Sequence, residues 1–259
     1  MTTKSRGKQD DPYTIFSAVY DQPDHAQVAD AFFQHVRNEL RVVEEGTWIL
    51  DLACGTGVVT DKIADLGLPV IGVDRSSAML KRARERCRAY GGMVRFKQAD
   101  LADFHVNKEC RIATACGDVA NHIPSSTILT RIFRNVHREL ASGGMLCFDA
   151  LNRFCFEQYW TGKTYFMEGE SESGDIVMEC DWDARKLRGE CHMTCYVQDD
   201  SGRYTKRQFT LFEYLHEDDV LENCLRKAGF RVERTEWSPW PDQHLEPAMD
   251  RNFWRAYKD

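Results

Sequence analysis

Apolar residues along this chain fall into two alternating kinds of stretch. Some are short and unbroken; in others the apolar positions recur every three or four residues. Trp48-Ile49-Leu50 with Leu52 is the first unbroken run, and Asp51 is its one charge. Val70 to Asp74, Ile112 to Cys116 and Met145 to Asp149 repeat the form, and Val94 to Asp100, whose apolar residues are interrupted by Arg95 and Lys97, is a further strand ending in an acid. Runs of this length read as strands buried on both faces of a parallel sheet. Between them, Val58 to Ala64, Met79 to about Tyr90 and Ser125 to Leu140 carry helical spacing. Ahead of the first strand, Val28, Ala29, Phe32, Phe33, Val36 and Leu40 form one stripe of a helix running from about Ala26 to Glu44. Strands alternating with helices predict an α/β fold.

From Thr164 to His216 the pattern changes to extended runs separated by turn-rich stretches, among them Gly169 to Asp175 and Asp199 to Gly202. That reads as an antiparallel meander inserted between the fifth and sixth strands of the main sheet. The main sheet then resumes with a helix over Glu217 to Ala228, a strand over Phe230 to Trp237, a Pro-rich turn over Ser238 to Pro247 and a last strand near Phe253 to Tyr257.

The chemistry concentrates at the strand ends. Gly55-Thr56-Gly57 joins the first strand to its helix, a form in which backbone passes close to a ligand and a helix start offers free N–H groups. A dinucleotide fingerprint asks for a third glycine where this chain has Thr60, so that reading is incomplete. Asp51, Asp74 and Asp100 close three successive strands. They suit a ligand that offers an amine, a ribose diol and an adenine amine and needs no phosphate site.

DLACGTG from Asp51, VIGVDRSSAML from Val70 and the acid closing the third strand resemble, in order, the motifs of class I S-adenosyl-L-methionine (SAM) dependent methyltransferases. Leu140 to Leu146 resembles the family's L-x-x-G-G turn, and Lys227 to Phe230 its AGF turn. The resemblance implies a Rossmann-like, seven-stranded, mostly parallel sheet with helices on both faces, plus the small antiparallel insertion. It divides the chain into a flexible segment and lid (1–25), a SAM-binding core (26–163), the insertion (164–216) and the rest of the core (217–259). It implies a small-molecule enzyme that moves a methyl group to nitrogen or oxygen by inline displacement, releasing S-adenosyl-L-homocysteine.

Residue by residue, the resemblance gives the methionyl end to Asp51, Ala53, Cys54, Gly55 and Gly57. Asp74 with Arg75 takes the ribose, and Asp100 and Leu101 the adenine. Cys116 and Gly117 lie near the sulfonium. Met79 lies under the adenine or is ordinary core. On the acceptor side Tyr20, Asp118 and His122 are the catalytic candidates, since a histidine can take a proton near neutral pH. Tyr20, Asn121, His122, Tyr159 and Trp160 are candidates to line the acceptor pocket, with core packing as the plainer account of the aromatics. A nicotinamide oxidoreductase and a SAM-binding protein without catalysis are the rival readings.

Composition narrows the partners. A formal charge of −7 argues against a nucleic-acid footprint. No apolar run approaches the ~18 residues of a membrane span. The ten cysteines stand singly, and Cys191, His192 and Cys195 alternate as on a strand, so neither disulfides nor a metal site is expected. A cytoplasmic protein with a polar, disordered start from Met1 to Asp11 follows. A homodimer formed through the inserted sheet is a further possibility.

Overall fold

The computed structural model describes residues 11–169, 174–199, 201–237 and 250–259. The expected disordered start (but for Asp11), the Pro-rich turn over Ser238 to Pro247 and part of the turn from Gly169 lie outside them.

Two helices open the chain, α1 (Pro12–Phe16) and α2 (Pro23–Arg41), each with proline in its first turn, where a missing N–H costs nothing. Pro23 starts α2 earlier than its apolar stripe suggested. The main sheet then takes shape through β1 (Trp48–Leu52), α3 (Val58–Ala64), β2 (Val70–Asp74) and α4 (Ser77–Arg86). Next come β3 (Val94–Gln98), β4 (Cys110–Ala115), α5 (Ser126–Glu139) and β5 (Leu140–Leu151). Ser76 and Ser125 cap α4 and α5 through their hydroxyls.

Then α6 (Arg153–Cys155) runs into a π-helical turn over Phe156–Trp160, so the aromatic stretch after β5 is helical, as its spacing implied. A separate antiparallel sheet follows: β6 (Lys163–Met167), β7 (Asp175–Asp183), β8 (Arg188–Gln198) and β9 (Tyr204–Tyr214). Finally α7 (Asp218–Lys227), β10 (Arg231–Trp237) and β11 (Arg251–Tyr257) return to the main sheet.

The seven-stranded order is β10-β11-β5-β4-β1-β2-β3, parallel except for β11. Both the fold class and the place of the insertion are therefore as the motif order implied. The strand order reverses between β1 and β4, so the crevice at their carboxyl ends is the switch point where such sheets bind ligands. One apolar layer joins α2 and α3 to the sheet through Phe32, Ile49, Ile63 and Phe253. Another joins α5 and α7 through Leu129, Phe133, Phe148 and Trp254. A third core holds α1, the π-turn and the inserted sheet together.

The third strand departs from expectation. It is the sheet edge, half-exposed along its length, and stops at Gln98, so Asp100 falls in the turn beyond it. The L-x-x-G-G segment opens β5, with Gly143 in the left-handed region, φ +69°. No helix among the described residues is long and apolar enough to cross a membrane.

Gly72 pairs with Phe96 across β2 and β3, and a methyl group there would stand 2.7 Å from the Phe96 ring and 2.9 Å from Cys54 Sγ. Gly72→Ala should cost about 1–3 kcal/mol of stability through overpacking. An unchanged urea midpoint would show that strand to be looser than its packing indicates.

Candidate active site

One wall of the crevice is built by the turn after β1. Gly57 takes φ +83° to cap α3, and a methyl group there would meet Ala83 Cβ at 3.0 Å, so both backbone and packing require glycine. Ala53 (φ +48°) and Gly55 (φ +54°) also lie in the left-handed region. The acids behind them hold this shape. Gly55 N donates to Asp74 Oδ2 at 2.9 Å, and Ser76 N to Asp74 Oδ1 at 2.7 Å. Burial raises the Asp74 carboxyl above its ordinary range despite those bonds.

Asp51 is 1% exposed and accepts from Thr60 Oγ1 at 2.5 Å and Thr114 Oγ1 at 2.8 Å. Burial pushes it up to about 6. Thr60, the residue that breaks the dinucleotide pattern, is thus a buried partner of the first acid. Asp100 is exposed and accepts from Ala102 N at 2.7 Å, closing a turn, while Leu101 half-buries against the core. Met79 is buried in α4, and Arg75 lies 5.2 Å from the centre of the Tyr13 ring. Burial raises the Cys54 and Cys116 thiols well above their ordinary range, so both are neutral.

The other wall of the crevice is the turn after β4. Gly117 N and Asp118 N donate to the two oxygens of Asp149 at 2.8 and 3.2 Å. Arg251 Nη1 donates to Asp149 Oδ2 at 2.5 Å and to Asp118 Oδ1 at 2.8 Å. Tyr20 spans the two turns: a Cβ built on Gly55 would face its Cε1 at 3.9 Å, and one on Gly117 its hydroxyl at 4.0 Å. Its ring stacks on His25 at 4.6 Å, with Phe16 edge-on at 5.0 Å. Next to Tyr20, Asp21 accepts from Thr56 Oγ1 at 2.6 Å and from Arg86 at 2.9 Å, which ties this segment to the glycine turn and α4.

His122 follows on a 3-10 turn, with Nε2 3.7 Å from Asp118 Oδ2 and 4.0 Å from Glu213 Oε1. Its Nδ1 lies 3.5 Å from the Tyr13 hydroxyl. Burial lowers the imidazole's pKa, so the ring is neutral near pH 7. A cavity of about 490 Å³ beside Arg111, Gly143 and Met145 opens at the opposite ends of the strands and has no part in this arrangement.

The methyltransferase domain family matches residues 49–144, the span from β1 to the start of β5. Over that span the chain is similar to a methyltransferase domain. The YqeM protein of Bacillus subtilis (strain 168), which carries a methyltransferase name, is 25% identical over 95% of this chain and 97% of its own. Among solved structures, a SAM-dependent methyltransferase from Clostridium acetobutylicum superimposes with a TM-score of 0.76 at 21% identity, covering 96% of this chain and 99% of that one. The sugar N-methyltransferase KedS8 of Streptoalloteichus sp. gives 0.71 at 21% identity, over 100% and 98%. These likenesses show a shared fold.

The residues around the methyltransferase crevice fit SAM. Both glycine turns lie against Tyr20, with the carboxylates of Asp74 and Asp149 bound to their backbone N–H groups. Sequence reasoning placed Asn121 on the acceptor wall, but the structure gives it another task. It is 1% exposed, and its amide bonds the backbone of Leu151 and Tyr214, pinning β9 to β5. Trp160 is likewise packed, 8% exposed, against Phe156 and Gly189. Tyr159 is half-buried, its carbonyl accepting from the Tyr165 hydroxyl at 2.5 Å.

Two residues of this arrangement lay outside the sequence-based candidates. Arg251 reads in the sequence as able to reach the site, with a sheet edge as the simpler account; β11 pairs with β5 and brings it against Asp149. Glu213 was passed over in a run of aromatics, where a lone acid inside a half-buried strand is itself the signal. Replacing Arg251 with Met strands Asp118 and Asp149 without their cation. The expected loss is roughly 3–5 kcal/mol in chemical denaturation; a loss under about 1 kcal/mol, the scale of a surface pair, would show the carboxylates to be satisfied without it.

Proposed function

We propose that the protein transfers a methyl group from SAM to nitrogen or oxygen of a small metabolite. The observation that carries this reading is Tyr20 bridging the glycine turns after β1 and β4, directly beside Asp118 and His122. SAM supplies a methyl group on an activated sulfonium, and S-adenosyl-L-homocysteine remains. The chain's own residues bind, align and exclude water, and alignment alone can supply much of the acceleration. In this assignment Asp51 faces the methionyl ammonium across the turn Ala53-Cys54-Gly55-Gly57. Asp74, with Arg75 beside it, takes the ribose hydroxyls; Met79, Asp100 and Leu101 bound the adenine; Cys116 and Gly117 flank the sulfur. Tyr20, Asp118 and His122 face the acceptor, and Tyr159 borders its pocket.

A small acceptor is supported by the roof. The segment carrying Tyr13 and Tyr20, together with the inserted sheet carrying Glu213, covers the crevice and buries these groups. The neighbouring fold of a sugar N-methyltransferase is consistent with such an acceptor. The inserted sheet serves in this reading as acceptor cover and as the surface for a homodimer. All ten cysteines are free thiols, which suits a reducing cytoplasmic setting.

Asp74→Ala should weaken S-adenosyl-L-homocysteine binding on the order of 100-fold in calorimetry, the loss of two charge-assisted hydrogen bonds. Unchanged affinity would remove the ribose assignment. Thermal shifts with NADH beside S-adenosyl-L-homocysteine separate the enzyme classes, because only the true ligand raises the melting temperature.

The pH profile of binding tests Asp51. A bound ammonium favours the ionised carboxylate, so protonation competes with binding. Affinity should be highest above a pH of about 6 and fall below it, by up to about tenfold per unit. A flat profile from about pH 7.5 to 5 would place the amine elsewhere.

A further inference from the structure

Glu213 reaches the crevice from β9, on the far side from the strand tips. Its carboxyl is 7% exposed, and Oε2 has no hydrogen-bond partner. One ligand atom from each of Asp118, His122 and Glu213 lies within 4.8 Å of the other two. The remaining atoms of its neighbours are engaged: Asp118 Oδ1 by Arg251, and His122 Nδ1 by the Tyr13 hydroxyl. With the His122 ring proton on Nδ1, toward the Tyr13 hydroxyl, Nε2 joins the Asp118 and Glu213 oxygens as a third acceptor beside Gly117.

The charge there is unbalanced. Asp118, Asp149 and Glu213 crowd about the guanidinium of Arg251, with Arg75 acting on His122 from the other side. Buried carboxyls in such excess need a proton or a further cation. Burial, and then the neighbouring Asp118 charge, hold Glu213 well above the usual carboxyl range, so a proton fills the gap when no ligand does. A monocation suits the place better than a metal dication, because Arg251 stands 2.8 Å from Asp118. An ammonium carries three N–H donors for three acceptors.

We infer that Asp118, His122 and Glu213 seat the protonated amine of the acceptor, so that nitrogen is the atom methylated. This rests on the methyltransferase reading above and names the acceptor class for the same site. The ammonium gives one proton to neutral His122 Nε2. The freed nitrogen lone pair then forms the N–CH3 bond while the S–CH3 bond breaks, its electron pair staying on sulfur. Glu213 is in this scheme a substrate-binding residue supplied by the insertion.

Sinefungin tests the inference without knowledge of the acceptor. It is an S-adenosyl-L-homocysteine analogue in which an amine-bearing carbon replaces sulfur, so its ammonium points where the methyl group would. Calorimetry on the full chain should show sinefungin binding at least about tenfold tighter than S-adenosyl-L-homocysteine. Glu213→Gln should bring the two within roughly threefold while leaving S-adenosyl-L-homocysteine affinity as in the wild type, which also reports an intact fold. Equal affinities in the wild type, or an advantage that survives in both Glu213→Gln and Asp118→Asn, would overturn the ammonium seat. So would an advantage abolished by dialysis against a chelator and restored by zinc. Failure of S-adenosyl-L-homocysteine to bind at all would instead strike the donor assignment beneath it.

Discussion

A carboxylate at the tip of a buried strand must find partners, and in this fold the partners come from neighbouring strands. Asp74 ends β2 yet fixes the turn after β1 through Gly55 N. Asp149 lies in β5 yet fixes the turn after β4 through Gly117 N and Asp118 N. Asp51 joins β1 to α3 through Thr60 and to β4 through Thr114. Each acid thus determines the shape of a loop it does not belong to. The crevice is rigid because its walls are tied across the sheet, and the glycine turns are held open by hydrogen bonds as well as by their own conformational freedom.

The same logic couples the roof to the floor. The Tyr20 segment does not rest on the crevice alone: Phe16 and Val19 belong to the core formed by the π-turn and the inserted sheet. Asp21 binds Thr56 and Arg86 beside the glycine turn, and Gln22 donates to Gly174 O at 3.0 Å, just ahead of β7 in the insertion. These ties join the segment to both sides of the crevice, so displacing it would break them together. Asn121 completes the link by holding Tyr214 of β9 to Leu151 of β5, and so sets where Glu213 stands.

How much of this was legible in the sequence follows from which interactions are local. Strands, helices and their order were readable because burial on both faces leaves a continuous apolar run, as at Val70 to Asp74. The glycine turn was readable because φ and close approach restrict its residues. Asp100 was placed at a strand end because a short strand's last residues carry little pattern of their own; the structure ends β3 at Gln98. Asn121 and Glu213 depend on contacts across 30 positions, with Leu151, and across some 90, with Tyr214 and His122, and no periodicity encodes those. Arg251 belongs with them, since its charge matters only after β11 has been laid antiparallel against β5.

Methyl transfer moves positive charge from sulfur toward the acceptor, and the distribution of acids bears on that movement. In the proposed assignment Asp51 and Asp74 stand on the donor side, satisfied by hydroxyl and backbone donors before any ligand arrives. On the acceptor side Glu213 keeps an oxygen without a partner, and Asp118 keeps one oxygen turned toward His122. Interactions that strengthen as charge develops lower a barrier, whereas those equal in ground and transition state do not. A neutral amine gains positive charge as it is methylated, and the partly satisfied carboxyls stand where that charge would appear. An oxygen acceptor attacking as an alkoxide would bring negative charge to the same place and be repelled by them. The asymmetry between a satisfied donor side and an unsatisfied acceptor side is therefore itself an argument about direction and about the nucleophile.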